Sequence, residues 1–185
     1  LKHSIIKDRK FFNWLEENSS YILAKKTKHL AYAIKKSCQI KLHFVNRDVN
    51  EKGLRMILNF GHTFAHAIEV QNNYSKNITH GEAVLSGIIL ASKLSVVMKI
   101  CTLSTLEKIK NIYIKNNLTF AYKKYSKQSS INKLIPYLKN DKKNNDNKIN
   151  FILLKKIGST STPNSFKMSI KELKNSARLL INSNF

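Results

Sequence analysis

Acidic side chains are scarce in this sequence: 11 Asp and Glu stand against 33 Lys and Arg, a formal net charge of +22. By itself that imbalance points to a polyanionic partner. The excess is nearly all Lys, spread evenly and accompanied by abundant Asn and Ile, so the codon bias of an AT-rich genome is a competing source. Cysteine is equally sparse. Cys38 and Cys101 lie far apart with no C-x-x-C spacing, which excludes a disulfide framework or a zinc ribbon and reads as buried thiols in a reducing compartment. None of the five glycines builds a glycine-rich βαβ fingerprint. An initiator Met and an apolar stretch ahead of a small-residue cleavage site are both missing from "LKHSIIKDRK", so no signal peptide is expected and a cytoplasmic location is. The chain looks cut from something longer. Its longest apolar run, Ala83 to Met98, is interrupted by Lys93 and falls short of the ~20 residues that span a bilayer, so we read it as a core helix and expect no membrane partner. No repeat with a period of about 20–50 residues is visible.

What is present is helical pattern. At 185 residues the chain fits one domain with a core large enough to need no staples. Asp8 suits the N-cap of a helix in which Phe11, Phe12 and Leu15 recur at helical spacing. Ser20 to about Val45 reads as one long amphipathic helix with its lysines in solvent. The polar break "NRDVNEKG" ends at Gly53, before a helix over residues 54–69. Thr79 is placed to cap the next helix, from His80 to about Lys99, whose Gly81, Ala83, Ser86, Gly87 and Ala91 let other backbones approach closely. Capping boxes of the form S-x-x-E, Ser104 with Glu107 and Ser169 with Glu172, open later helices. "INFILLKKIGS" is β-branched and short enough to be a strand. The expected fold is mainly α, a multi-helix bundle with at most a small β hairpin.

On a wheel of about 100° per residue, Arg55, Asn59, His62, His66 and Glu69 fall on one narrow stripe of an otherwise apolar helix. Such a helix is buried nearly all round, and a guanidinium, an amide and two imidazoles buried in line need partners. A polar seam between core helices and a ligand cavity both supply them. His62 and His66 have the i, i+4 spacing that lets two imidazoles meet one metal, but Thr63 stands where H-E-x-x-H would place a general base, which disfavours a metalloprotease. His80, in "THGEAV", is a third imidazole within reach of a helix folding back. Neutral imidazoles suit zinc. Lys41, Lys142 and Lys143, if clustered near Arg55, would make a pocket for a carboxylate or phosphate.

These residues resemble the 3-dehydroquinate synthase family. The likeness rests on "NEKGLRMILNFGHTFAHAIE" (50–69), "THGEAVLSGIILAS" (79–92), "LKHSIIKDRKFFNWLEEN" (1–18), and "NDKK" (140–143) followed by "FILLKKIG" (151–158), in the family's order and approximate spacing. The resemblance implies that residues 1–185 are a single helical C-terminal domain of the dehydroquinate synthase-like type, and that the NAD-binding N-terminal α/β domain is absent from this chain. It implies a phosphate-eliminating lyase of the shikimate pathway to the aromatic amino acids, using NAD and Zn2+ or Co2+, acting on a small sugar-phosphate substrate, and homodimeric as the full-length enzyme. Carried over by motif, His62 and His80 would be metal ligands. His66 would transfer protons and touch the substrate. Arg55, Asn59, Lys2, Lys41 and Lys142 would bind the substrate's carboxylate, phosphate or hydroxyls, with Glu51 beside the site.

The sequence departs from the family pattern in a few places. The third metal ligand of the family is a glutamate two residues ahead of the position matching Leu1, so the chain alone is expected to bind zinc poorly. His3 and Ser4 replace an aromatic-glycine pair, Val49 replaces an acidic residue, and Ala65 replaces a glycine. Two alternatives are a related sugar-phosphate cyclase and, from the net charge alone, a basic helical module that binds nucleic acid.

Overall fold

The computed structural model describes residues 1–75, 78–118, 128–138 and 148–182, most of them helical. In chain order the elements are α1 (Lys2–Lys7), α2 (Arg9–Leu23), α3 (Thr27–Val45), a 3-10 segment (Leu54–Asn59), α4 (His62–Gln71), α5 (His80–Val97), α6 (Leu103–Lys115) and α7 (Gln128–Leu138). Strands β1 (Lys148–Asn150), β2 (Leu154–Lys156), β3 (Ser159–Thr160) and β4 (Lys167–Ser169) follow, then α8 (Ile170–Asn182). The strands form two antiparallel pairs, β1 with β4 and β2 with β3, one more pair than the single hairpin expected.

Side-chain caps set the starts of α2, α5, α6 and α8. Asp8 accepts a hydrogen bond from the Phe11 amide at 2.9 Å, satisfying one of the orphan donors at the start of α2. Thr79 and Glu82 form a full capping box on α5, and Ser169 and Glu172 do the same on α8. The box read at Ser104 does not form. Thr102 caps α6 instead, accepting from the Thr105 amide, and Glu107 pairs with Lys110 at 3.1 Å.

Helix ends depart further from the pattern. The expected helix from Ser20 to Val45 is interrupted between Leu23 and Thr27, where Lys25 adopts φ 56°. There the Lys26 amide donates to the Tyr21 carbonyl and the Lys25 amide to that of Ile22, the two bonds of a Schellman motif. The same pair of bonds closes α4 at Asn73, α5 at Lys99 and α6 at Asn117, all with positive φ. With so few glycines in the chain, Lys and Asn take left-handed positions that glycine usually marks.

The core is organised on α5. Ala83 and every residue from Ser86 to Ser95 are buried, so this helix, apolar and long enough by composition to cross a membrane, lies in the middle of the bundle. It packs tightly against α4. Gly87 meets the Gly61 carbonyl so closely that a Cβ there would lie 2.1 Å from that oxygen, and Gly61 itself sits at φ +81°. Ala65, at the position read as a glycine in the family, is wholly buried at this contact. Ser95 ties the β layer to α5, since its hydroxyl accepts from the Leu154 amide at 2.8 Å. Phe151 packs on Phe64. The Tyr113 hydroxyl donates to the Leu85 carbonyl at 3.0 Å, and burial pushes its pKa up. Of the two cysteines only Cys101 is buried; Cys38 lies exposed on α3, contrary to expectation.

Candidate metal and substrate site

The stripe read as one helix over residues 54–69 is two elements. The chain runs as a 3-10 turn to Asn59, breaks at Phe60 and Gly61, and restarts as α4 at His62. Gly61 forces the break: its left-handed backbone brings it against Ile88 and Gly87, where a Cβ would lie 2.8 Å from the Ile88 amide nitrogen. Nor is the first part buried all round. No residue of 54–59 is fully buried, and Leu54 is exposed.

Asp48 organises the turn that precedes this segment. Its carboxylate accepts from the backbone amides of Lys52 (3.0 Å), Gly53 (2.8 Å) and Arg55 (3.0 Å). Desolvation works to raise its pKa, but those amides and the Arg55 charge prevail and hold it below the usual carboxylate value. Glu51, at φ 54°, is turned toward the segment: the Asn59 side-chain amide donates to its Oε1 at 2.7 Å, and Arg55 Nε lies 3.8 Å from its Oε2. Arg55 also donates to the Val49 carbonyl at 2.7 Å. Three residues carried by the family motif are thus one group, joined by a hydrogen bond and an ion pair to Glu51.

The histidines form a second group. The His62 ring centroid lies 5.7 Å from that of His66 and 5.6 Å from that of His80. His80 Nδ1 donates to Glu69 Oε1 at 2.8 Å, and His62 Nδ1 faces the Phe60 carbonyl at 3.4 Å. Each ring therefore keeps Nε2 as its outward nitrogen. With metal–nitrogen bonds of roughly 2.0–2.1 Å, two imidazoles on one ion have centroids within roughly 6 Å of each other, a limit that the His62–His80 and His62–His66 pairs both meet, and of the two only His80 has a carboxylate on its Nδ1. A carboxylate behind a histidine ligand fixes its tautomer and orientation. His62 and His80 therefore fit two places of a metal's ligand set. Among the described residues, no three His, Cys, Asp or Glu side chains gather closely enough to hold an ion.

Lys2 joins the groups, with Nζ 3.5 Å from His62 Nε2. Desolvation, and then the nearby Lys41 charge, lowers its pKa to about 8. His62 is lowered to about 4 by desolvation and by Lys2, with lesser contributions from His66 and His80, against the opposing Phe60 carbonyl. His3 also falls to about 4, through desolvation and then the charges of Lys2, the N-terminus and Lys41. Both rings are neutral at pH 7, the form a metal needs.

The same shifts set the acid response. An unfolded chain protonates these imidazoles near pH 6.5, whereas the folded one resists until about 4. Their stabilising contribution is complete above 6.5 and declines as pH falls toward 4, because the unfolded state then binds more protons. Urea midpoints should fall between pH 7 and 4.5, and the double variant His3→Gln, His62→Gln should flatten that fall. An unchanged slope would refute the assignment.

Of the residues singled out in the sequence, Lys2, His62, His66 and His80 lie together, with Lys41 near enough to bias Lys2. Glu51, Arg55 and Asn59 lie together on the neighbouring turn. Lys142 and Lys143 lie outside the described residues. In the sequence, Glu69 falls on the stripe without an evident role, and Asp48 stands outside every motif. A carboxylate at i+3 from one histidine was the available signal for the first, and Asp five residues before a turn glycine for the second.

The bundle, with imidazoles on α4 and α5 and Lys2 reaching them from α1, has the fold of two solved synthases. The 2-deoxy-scyllo-inosose synthase structure, complexed with carbaglucose-6-phosphate, NAD+ and Co2+, matches with a TM-score of 0.66 and 26% identity over 82% of this chain and 41% of that one. The 2-epi-5-epi-valiolone synthase of Streptomyces hygroscopicus, with NAD+ and Zn2+ bound, matches in fold with a TM-score of 0.70 and 18% identity over 100% of this chain and 49% of that one. The family model for the 3-dehydroquinate synthase C-terminal domain matches residues 1–144, and the chain belongs to that family. The 3-dehydroquinate synthase of Pelagibacter ubique is 42% identical over 159 residues, 86% of this chain and 43% of the relative. That of Aliivibrio fischeri is 36% identical over 170 residues, 92% and 46% respectively. The chain thus spans a little under half the length of these relatives. The reading as a nucleic-acid-binding module gains nothing from these matches.

Proposed function

We propose that this chain supplies the metal- and substrate-binding half of a 3-dehydroquinate synthase, a lyase that converts 3-deoxy-D-arabino-heptulosonate 7-phosphate to 3-dehydroquinate and inorganic phosphate. NAD would be held mainly by the other half, whether in the same polypeptide or a companion one, and the complete enzyme would be a homodimer. The observation that carries this reading is the convergence of His62, His66, His80 and Lys2, beside a turn that presents Arg55 and Asn59.

A Zn2+ or Co2+ ion held by His62 and His80 would supply Lewis acidity toward neighbouring substrate hydroxyls. The chain's own groups do the rest. Arg55 offers a planar fork of donors to a carboxylate or phosphate, and Glu51 positions both Arg55 and Asn59 by direct contact. Lys2, with a pKa near 8, can donate a hydrogen bond as an ammonium or release its proton with little change of pH. Lys41 adds positive charge where the substrate brings negative charge. His66 lies exposed one turn from His62, open to the site and able to carry a proton.

The test is phosphate release from the heptulosonate phosphate by protein that carries both halves. His66→Ala should lower kcat by about 10²–10⁴-fold, the usual range for losing a general acid or base, while metal content stays at the wild-type level. Loss of metal together with turnover would assign His66 to the ligand set instead. Full retained activity would remove it from the mechanism.

A further inference from the structure

Away from the histidines, a cleft of about 430 Å³ opens between α1, the end of α3, the 3-10 segment and the β2–β3 turn. Its floor is apolar, built by Ile6, Phe44 and Ile57, and the first two are almost fully buried. Its rim is cationic. Lys7 reaches over the Phe44 ring, with Nζ 5.9 Å from the centroid, and Arg47 contacts the His43 ring and carbonyl from one helical turn away. Gly158, Ser159 and Thr160 line it from the β2–β3 turn.

Among the described residues, no carboxylate lines this cleft or pairs with Lys7 or Arg47. The two acids nearest in sequence are occupied elsewhere: Asp8, beside Lys7, accepts from the Phe11 amide at 2.9 Å, and Asp48, beside Arg47, is committed to three backbone amides. Desolvation, then Lys7 and then Arg47, lowers the pKa of His43, as expected where cations crowd without a counter-ion. A cleft rimmed by charge of one sign over an apolar floor focuses its field and draws an anion to it. The volume is in the range of small-molecule sites, roughly 300–1,000 Å³.

We propose that this cleft binds a small organic anion whose single ring lies on Ile6, Phe44 and Ile57 and whose carboxylate or phosphate is taken by Lys7 and Arg47. The site is separate from the histidine group and independent of the function proposed above. It is also connected to that region. Leu54 and Ile57 face the cleft from the 3-10 segment, where residues three apart share a row, while Arg55 and Asn59 occupy its other rows. An occupant would therefore hold the element that presents the substrate-binding pair.

Phenyl phosphate, benzoate and inorganic phosphate are titrated into the 15N-labelled chain in 0.15 M NaCl, where long-range attraction by the net charge is largely screened. Phenyl phosphate should give saturable amide shifts centred on Leu54, Ile57, Gly158 and Ser159, and should bind at least tenfold more tightly than inorganic phosphate. Arg47→Gln should weaken it about tenfold, in line with the loss of one charge-assisted hydrogen bond. Lys28→Gln, which removes the same charge from an exposed site at the far end of α3, should leave affinity unchanged. Benzoate with the same shift pattern would extend the site to carboxylates, and benzoate without it would restrict the site to phosphate esters; both outcomes keep the anion cleft. Equal binding of phenyl and inorganic phosphate would overturn the proposal, since the floor would contribute nothing. So would equal losses in Arg47→Gln and Lys28→Gln, or shifts centred on Lys2 and Arg55.

Discussion

Gly87→Ala should cost the fold about 3 kcal/mol, the upper end of the usual range for overpacking. The added Cβ would stand 2.1 Å from the Gly61 carbonyl oxygen, 3.0 Å from the Ala65 nitrogen and 3.1 Å from the Gly61 carbonyl carbon, all of them backbone atoms. No rotamer change can relieve such a contact, so α4 and α5 must part. Those helices carry His62 and His80, and their separation would also widen the pair's 5.6 Å spacing. Urea or thermal unfolding measures the first effect, and loss of the coupled response of the two rings to added Zn2+ measures the second. Gly81→Ala is the control: no atom lies within 4 Å of a Cβ there, and the change replaces glycine by a strong helix former, so stability should hold or rise by up to about 1 kcal/mol. A Gly87→Ala chain within about 0.5 kcal/mol of wild type, the usual scatter of a harmless surface change, would mean that the α4–α5 contact is looser than described.

That contact was readable in part before any coordinates. The small residues of the His80–Lys99 segment announced close backbone approach, and the Asp8, Thr79 and Ser169 caps announced where helices begin, because a cap is a local event between a side chain and an amide three residues on. Helix ends were less legible. A Schellman end closed by Lys25 or Lys99 has no sequence mark, since its determinant is a pair of backbone bonds rather than a residue type. The break at Gly61 was hidden for a different reason. Arg55, Asn59, His62, His66 and Glu69 satisfy helical periodicity so well that the wheel could not register a change of element between the second and third of them, and only the packing of Gly61 on Gly87 imposes it. The resemblance named histidines that the structure brings together, but it could not supply the supports beneath them, Asp48 under the turn and Glu69 behind His80.

Glu69 matters because it decides which nitrogen of His80 faces the site. Its carboxylate accepts a hydrogen bond from Nδ1–H, leaving Nε2 as the lone-pair nitrogen, and the Phe60 carbonyl does the same more weakly for His62. In protein that carries both halves, titrating Co2+ or Zn2+ against a competing chelator at pH 7 should therefore show a graded series. His62→Ala and His80→Ala should each remove a ligand and abolish measurable site-specific binding. Glu69→Gln, which keeps the shape but accepts the Nδ1 proton less strongly, should weaken binding about 10–100-fold, the range seen for losing an outer partner of a metal-bound histidine. His66→Ala should leave affinity within about threefold, a small change on the scale of those outer-partner losses, since its ring has been assigned to proton transfer rather than ligation. Lys2 enters with the opposite sign. Its amine sits 3.5 Å from the nitrogen of His62 that an ion would use, so an incoming cation must displace it, and Lys2→Met should tighten binding in the chain alone. Circular dichroism guards against reading a folding defect as a lost ligand, because each substituted side chain except Glu69 projects from a partly open or exposed position. If His66→Ala were as damaging as His62→Ala, or if Glu69→Gln changed nothing, the ion would be meeting a different pair of rings from the one that Glu69 and Phe60 orient.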